Sequence, residues 1–303
     1  MIHITDSMID AAVTPTQAQE ALREAFHSFA HGHGAMQERI RTESTGVKIS
    51  TMAAVMPQQK IAGAKVYTTI NGQFSFVIVL FSSEDGRPLA SAEANAITRL
   101  RTAACSVLAA RQLARADAKR LSVFGAGVQG RAHAAQFAAA YALEDIRICD
   151  PYAPADAAQS IENECGVPVR MVAAGEMLAG ADIVVTASRS ATPLFPGSAL
   201  PQGCFVAAIG SSLPHTRELD DVALARASRI VVDWGPQTRR EAGDLVLAGA
   251  GTDVDAKLVE LADLLDGRAP GRTDDEEITL YKAVGVALQD VALAGLAYER
   301  IAA

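Results

Sequence analysis

The sequence predicts an α/β protein in which a doubly wound parallel sheet is joined to a second, β-rich α+β part. Three observations carry this. Residues 120–131 read Arg-Leu-Ser-Val-Phe-Gly-Ala-Gly-Val-Gln-Gly-Arg, an apolar strand that runs through Gly125-x-Gly127-x-x-Gly130 into a small-residue helix. Beyond that turn, near-continuous apolar runs alternate with helical stretches, as in a parallel sheet covered on both faces. Before it, residues 36–83 alternate apolar and polar positions as antiparallel strands do.

Each glycine of the turn has a physical reason. Gly125 permits the tight strand-to-helix turn, Gly127 lets backbone approach a pyrophosphate, and Gly130 lets the helix pack closely on the strand. The helix N-terminus offers free N–H groups to phosphates. A second strand, Ile146-Arg-Ile-Cys, ends at Asp150, about 20 residues after the turn, where a ribose hydroxyl sits in such folds. The combination predicts a Rossmann-type nicotinamide-dinucleotide site containing Gly125, Gly127 and Asp150.

Bulk properties narrow the function classes. The 303 residues allow two ordinary domains; 50% are hydrophobic and 20% charged, enough for large cores and against disorder. A formal charge of −8 argues against nucleic acid or an anionic membrane surface as partner. There is no apolar run of spanning length, and Met1-Ile-His-Ile-Thr-Asp6 lacks the order of a secretion signal, so a soluble, cytoplasmic protein is expected. Cys105, Cys149, Cys165 and Cys204 show no paired spacing and read as free thiols.

In chain order, Thr14-Pro15 opens an amphipathic helix to Ala30. His31-Gly-His33 follows; without a neighbouring carboxylate or cysteine it reads as a loop rather than a metal site. Strands are predicted over 39–42, 47–55, 62–69 and 74–81, with Asp85-Gly86 as a hairpin turn. A long helix is predicted from Ser91 to Ala116, carrying Arg99, Arg101 and Thr102 to the joint between the domains. Further strands are predicted over 147–149, 167–172, 182–187, 204–209 and 229–233, with helices over 155–165, 175–178 and 220–226. Ligands of such sheets bind beyond the strand C-termini, so Ser188 and the run Ile209-Gly210-Ser211-Ser212 should touch the dinucleotide. Loop capping is the competing explanation for these serines. The acidic cluster Asp274–Glu277 is read as the first turn of a closing helix over 278–301. That helix should return to the first domain, giving domains of 1–115 with 280–303 and of 116–279.

Several phrases together resemble the ornithine cyclodeaminase/mu-crystallin family: Gly63-Ala-Lys65, Ile97-Thr-Arg-Leu-Arg101-Thr-Ala-Ala104, the glycine turn, Ile209-Gly210 with Arg217-Glu-Leu-Asp220, Gly243-Asp-Leu245, and Ile278-Thr-Leu-Tyr-Lys-Ala-Val-Gly285 with Asp290. The resemblance implies a homodimer with a β-rich substrate-binding and dimerisation domain, and a nicotinamide cofactor acting on amino or cyclic imino acids. It makes Lys65 and Arg101 catalytic and carboxylate-binding residues, and Arg39, or else Arg41, a third cation on the substrate. It places Thr102, Val128, Gln129 and Val284 with Ile209, Ser188 and Ser211 around the cofactor. Asp150 followed by Pro151, where NADP-preferring relatives carry arginine, implies NAD rather than NADP.

Two departures bear on the reaction. Ornithine cyclodeaminases resemble Gly-Gly-Asp-x-Pro in the loop that here reads Gly210-Ser-Ser212-Leu-Pro214, so Ser212 stands where their acid/base aspartate stands. Serine cannot act as a carboxylate base near neutral pH. Ala283 replaces a serine of many relatives. The loop looks more like the imine-reducing branch, which implies reduction of pyrroline-2-carboxylate or piperideine-2-carboxylate. Cyclisation of ornithine with loss of ammonia is the alternative; it requires an acidic partner for a side-chain amine, and no obvious one is visible in the sequence. A non-catalytic ligand-binding protein is the third.

Overall fold

The computed structural model describes residues 1–302. The chain begins with β1 (Ile2–Ile4), α1 (Asp6–Ala12) and α2 (Pro15–Ala30), followed by β2 (Ala35–Met36), β3 (Ile40–Ser44), β4 (Val47–Met56), β5 (Ile61–Ile70), β6 (Gln73–Ser82) and β7 (Pro88–Glu93). Then come α3 (Asn95–Leu113), β8 (Arg120–Phe124), α4 (Val128–Ala140), β9 (Asp145–Cys149), α5 (Ala157–Cys165), β10 (Val169–Met171), β11 (Ile183–Thr186) and β12 (Phe205–Ala208). The last third holds α6 (Asp221–Arg226), β13 (Ala227–Val232), four short helices α7 (Gly235–Glu241), α8 (Gly243–Val246), α9 (Val254–Lys257) and α10 (Leu261–Leu265), β14 (Leu258–Glu260) between α9 and α10, β15 (Ile278–Lys282) and α11 (Ala287–Ala302). Two compact units result: Met1–Cys105 with the chain from Gly285 onward, and Ser106–Val284.

The first unit is a seven-stranded sheet ordered β1-β7-β6-β5-β4-β2, with β3 also on β4. All its pairings are antiparallel except β1 with β7. In β5 every second residue from Ile61 to Tyr67 is buried, and α11 packs on that face of β4, β5 and β6 and on α2. A capping box starts α2: Thr14 Oγ1 accepts from Gln17 N (3.3 Å) and Gln17 Oε1 accepts from Thr14 N (3.1 Å).

The second unit is an eight-stranded, wholly parallel sheet ordered β10-β9-β8-β11-β12-β15-β13-β14. The strand order reverses beside β8, the place where doubly wound sheets open a crevice at their carboxyl edge. Residues 183–186, 205–208 and 278–282 are buried throughout, as strands covered on both faces must be. The fold class is therefore the predicted one: α/β with a Rossmann-type sheet and a separate β-rich sheet.

Four local expectations are corrected. Ser91–Glu93 complete β7 rather than open a helix, because Ala90 and Ala92 pair with Leu80 and Ile78 in the antiparallel ladder. Ile278–Lys282 is not the start of the closing helix but a central strand between β12 and β13; Gly285, at φ +78°, then turns the chain into α11. The acids before it consequently form a turn, not a helix N-terminus: Glu277 accepts from Thr273 N and Oγ1 (3.0 and 2.7 Å), and Asp274 from Glu276 N (2.7 Å). Arg39 lies just before β3 rather than within a strand. All four cysteines are free thiols, and among the described residues no helix is long and apolar enough to cross a membrane.

Candidate active site

In the first unit the alternation of β5 turns Lys65 to the buried face, beneath α11. Gly63, two residues earlier, leaves room for the approach: a Cβ there would lie 2.7 Å from the Val79 carbonyl oxygen and 3.3 Å from Val291 Cγ2 of α11. The helix can then bring Asp290, wholly buried, to Lys65. Lys65 Nζ lies 3.0 Å from Asp290 Oδ1, donates to Thr98 Oγ1 at 2.6 Å, and sits 4.5 Å over the Phe76 ring centroid. Arg101, from α3, places Nε 3.4 Å from Asp290 Oδ1 and donates from Nη1 to Gln289 Oε1 at 2.9 Å. Arg39 donates from Nη2 to the Gly285 carbonyl (2.7 Å) and from Nε to Met52 Sδ (3.2 Å).

Arg39, Lys65 and Arg101 thus all couple electrostatically to one buried carboxylate, Asp290. Burial pushes the Lys65 ammonium down to about 8, against Asp290, which holds it up; Arg101 and Arg39 push with burial. Burial also pushes the Asp290 carboxyl up, but Lys65 and Arg101 outweigh it and hold the group below the ordinary carboxylate range. Three cations drawn together at a largely desolvated point suit an anionic ligand, and planar guanidinium groups favour a carboxylate. Arg39, not Arg41, is the third cation of this cluster; Arg41 lies on β3 opposite Ser50. Asp290 is the residue that sequence reasoning misses as a site member. Its signal is Gln289-Asp290 in the first turn of a helix that is apolar from Val291 to Ala297. It is an acid that is not obvious from the sequence, and Lys65 and Arg101 already engage it.

In the second unit, Gly125 takes φ +108°, and a Cβ on it would stand 2.6 Å from the Ala187 carbonyl oxygen. At Gly130 a Cβ would fall 1.8 Å from the Gly125 carbonyl oxygen and 3.3 Å from Val123 Cγ1. Gly127 differs: nothing lies within 4 Å of its Cβ position. Gly127 is also the N-cap of α4 and supplies no side-chain cap, so the first N–H groups of the helix face that open space. Val128, the first residue of α4, is largely exposed, and Gln129 follows it. Asp150, at the end of β9, accepts from Ala126 N (2.8 Å) and Tyr152 N (2.9 Å), which fixes it beside the turn with acceptor capacity to spare.

Ser188, Ile209, Ser211 and Val284 follow β11, β12 and β15, so they share the carboxyl edge of the sheet with the glycine turn. Ser188 Oγ donates to Glu218 Oε1 (2.6 Å), and Ser211 Oγ donates to the Thr216 carbonyl (2.5 Å); both hydroxyls serve the loops themselves. Ile209 N donates to the Thr186 carbonyl (2.9 Å) and Val284 N to Asp233 Oδ2 (3.2 Å). Thr102 lies in the first unit, its hydroxyl bonded to the Thr98 carbonyl at 2.6 Å. The open Gly127 position, the uncapped α4 terminus and the Asp150 carboxylate fit a dinucleotide.

Sheet order, glycine turn and acid-ended second strand define a Rossmann-type protein. The sequence matches the model of the ornithine cyclodeaminase/mu-crystallin family over residues 2–303, and the chain belongs to that family. A Δ1-pyrroline-2-carboxylate reductase from Bacillus cereus is 35% identical over 269 residues, spanning 85% of this chain and 78% of the relative. A crystal structure described as a probable ornithine cyclodeaminase from Bordetella pertussis Tohama I matches with TM-score 0.98 at 61% identity, covering 100% of this chain and 97% of that one. The Thermococcus litoralis Δ1-pyrroline-2-carboxylate reductase in complex with NADH and L-proline matches with TM-score 0.94 at 26% identity, covering 100% and 98%.

Proposed function

We propose that this protein is an NAD-dependent reductase of a small cyclic imino acid of the pyrroline-2-carboxylate or piperideine-2-carboxylate type. The observation that carries this is the convergence of buried Lys65 and Arg101, with half-buried Arg39, on the carboxylate Asp290. The three convergent cations suit a substrate carboxylate. NADH, when bound, supplies the hydride for the imine carbon. Gly125, Gly127, Val128 and Gln129 would receive its pyrophosphate, with Thr102, Ile209 and Val284 alongside, and Asp150 its ribose; Asp150 would also repel a 2′-phosphate, favouring NAD over NADP.

The chain's own residues orient the substrate and manage the proton. Arg39 and Arg101, with the Lys65 ammonium beside them, hold the carboxylate, which fixes the adjacent C=N bond in place. Lys65 Nζ, held by Asp290 and Thr98 and protonated below about pH 8, donates the proton that the imine nitrogen needs as it becomes an amine. Hydride at carbon and proton at nitrogen balance the reduction.

A second reading, ornithine-type cyclodeamination, is favoured by the description of the Bordetella relative. Against it stands Ser212, which cannot take the part of the aspartate. The deciding experiment has two arms: NADH with pyrroline-2-carboxylate or piperideine-2-carboxylate, followed at the reduced-nicotinamide absorbance band, and ornithine with catalytic NAD, followed by ammonia release. Loss of absorbance in the first without ammonia in the second is expected. Ammonia without net cofactor change would replace the reductase reading with the lyase.

A homodimer of cytoplasmic location is part of the same proposal. The sheet face of the first unit turned away from α11 is apolar, with Val47, Ile49 and Val55 of β4, Ile70 of β5, and Val77 and Phe81 of β6 exposed in register. A second copy of the chain would cover it. Ile49→Asp is expected to weaken the dimer on the order of a hundredfold by burying an unpaired charge. Light scattering checks this; a wild-type monomer at micromolar concentration would contradict it.

A further inference from the structure

The carboxyl edge of the second unit's sheet is held from behind by a buried polar chain that neither the glycine turn nor the cationic cluster explains. Glu218, wholly buried, accepts five hydrogen bonds. Its Oε1 takes Ser188 N (2.8 Å) and Ser188 Oγ (2.6 Å); its Oε2 takes Thr186 Oγ1 (2.8 Å), Gly210 N (2.8 Å) and Ser211 N (3.2 Å). These donors come from the ends of β11 and β12, so one carboxylate fixes both loops. Asp244, also wholly buried, accepts from the backbone N–H groups of Glu218 (2.6 Å) and Leu219 (2.8 Å) through Oδ1. Its Oδ2 lies 2.7 Å from the Nζ of Lys282, a buried residue of β15.

A buried carboxylate answered by five neutral donors is a poor device for stability alone, since apolar residues of similar volume do as well or better. What it offers is direction: acceptor lone pairs that set two loop ends in one mutual geometry. We infer that Glu218 is a positioning residue for the cofactor, fixing the backbone of the Ser188 and Gly210–Ser211 loops in the conformation that meets the dinucleotide, with Asp244 and Lys282 fixing Glu218 in turn. This rests on the dinucleotide reading of the second unit. It also explains why Arg217-Glu-Leu-Asp220, Gly243-Asp-Leu245 and the Lys282 phrase occur together: they are the three parts of one network.

The test is NADH titration of the full-length protein, read by quenching of its single tryptophan, Trp234, which lies in the second unit. In Glu218→Gln the amide NH2 must confront either the Ser188 donors or those of Thr186, Gly210 and Ser211, releasing one loop. The NADH Kd is expected to rise by about tenfold or more, while the imino-acid KM stays within roughly twofold. Should that variant fold poorly, Thr186→Val decides: Thr186 is fully buried, so it reaches cofactor only through Glu218, and the Kd is expected to rise by about threefold to fivefold. A purely structural role would reduce thermal stability or the binding-competent fraction and leave Kd unchanged; that result overturns the proposal. If wild-type protein binds no NADH, the dinucleotide reading itself has failed, an outcome distinct from equal binding by wild type and variants.

Discussion

Lys65→Met is expected to lower kcat/KM for a cyclic imino acid on the order of a thousandfold, because it removes a carboxylate contact and the proton donor together. It also strips Asp290 of its closest cation, leaving Arg101 Nε at 3.4 Å. A destabilisation of about 3–5 kcal/mol accompanies the loss of one partner of a buried pair. Kinetics should therefore be recorded where near-ultraviolet circular dichroism shows the variant folded. Lys65→Arg separates the two roles. Burial lowers the Lys65 ammonium to about 8, so the protonated form is present below that pH and is lost as pH rises through it. Wild-type kcat/KM should decline through this range. With arginine in place the charge persists and the alkaline limb should move upward, though the proton is no longer readily given up and kcat should fall. A wild-type profile flat from pH 7 to pH 10 would exclude Lys65 as donor.

Gly130→Ala is expected to destabilise the protein by roughly 3 kcal/mol or more and to abolish measurable NADH binding, since the new Cβ would fall 1.8 Å from the Gly125 carbonyl oxygen. That oxygen is backbone, so the helix or the turn must move. A loss of this size corresponds to a fall in Tm of about 6–12 °C for a unit of this length. Gly127→Ala provides the contrast. Its Cβ meets nothing within 4 Å, so Tm should be nearly unchanged, yet the methyl group occupies the space kept open for the pyrophosphate. NADH Kd should rise about tenfold or more. Calorimetry and NADH titration on the two variants side by side check the assignment; equal effects on Tm, or unaltered binding in Gly127→Ala, would show that the turn serves only the fold.

Much of the fold was legible because burial leaves a one-dimensional trace. Strands covered on both faces read as apolar runs at 121–124, 183–186 and 205–208, and the half-covered strands β4 and β5 read as alternations. The failure at Ile278–Lys282 follows from the same physics. A five-residue buried run has no period to separate strand from helix, and acids before it mimic a helix start. The glycine turn was legible because each glycine answers a local steric demand. Asp290, Glu218, Asp244 and Lys282 were not, because their roles depend on partners far away in sequence: Lys65 and Asp290 are 225 positions apart, and Thr186 and Glu218 are 32 apart. What the chain does show at those places is polar residues in apolar surroundings, a signal of burial with purpose but not of partner.

The most direct test compares NADH oxidation by the wild-type protein with pyrroline-2-carboxylate and with the same cyclic imine lacking its carboxylate. Rapid oxidation with the first and at least a hundredfold lower kcat/KM with the second is expected, because the Arg39–Lys65–Arg101 cluster then has no anion to hold. Equal rates with both imines, or NADH left intact with the carboxylate present, would contradict a carboxylate clamp as the basis of catalysis.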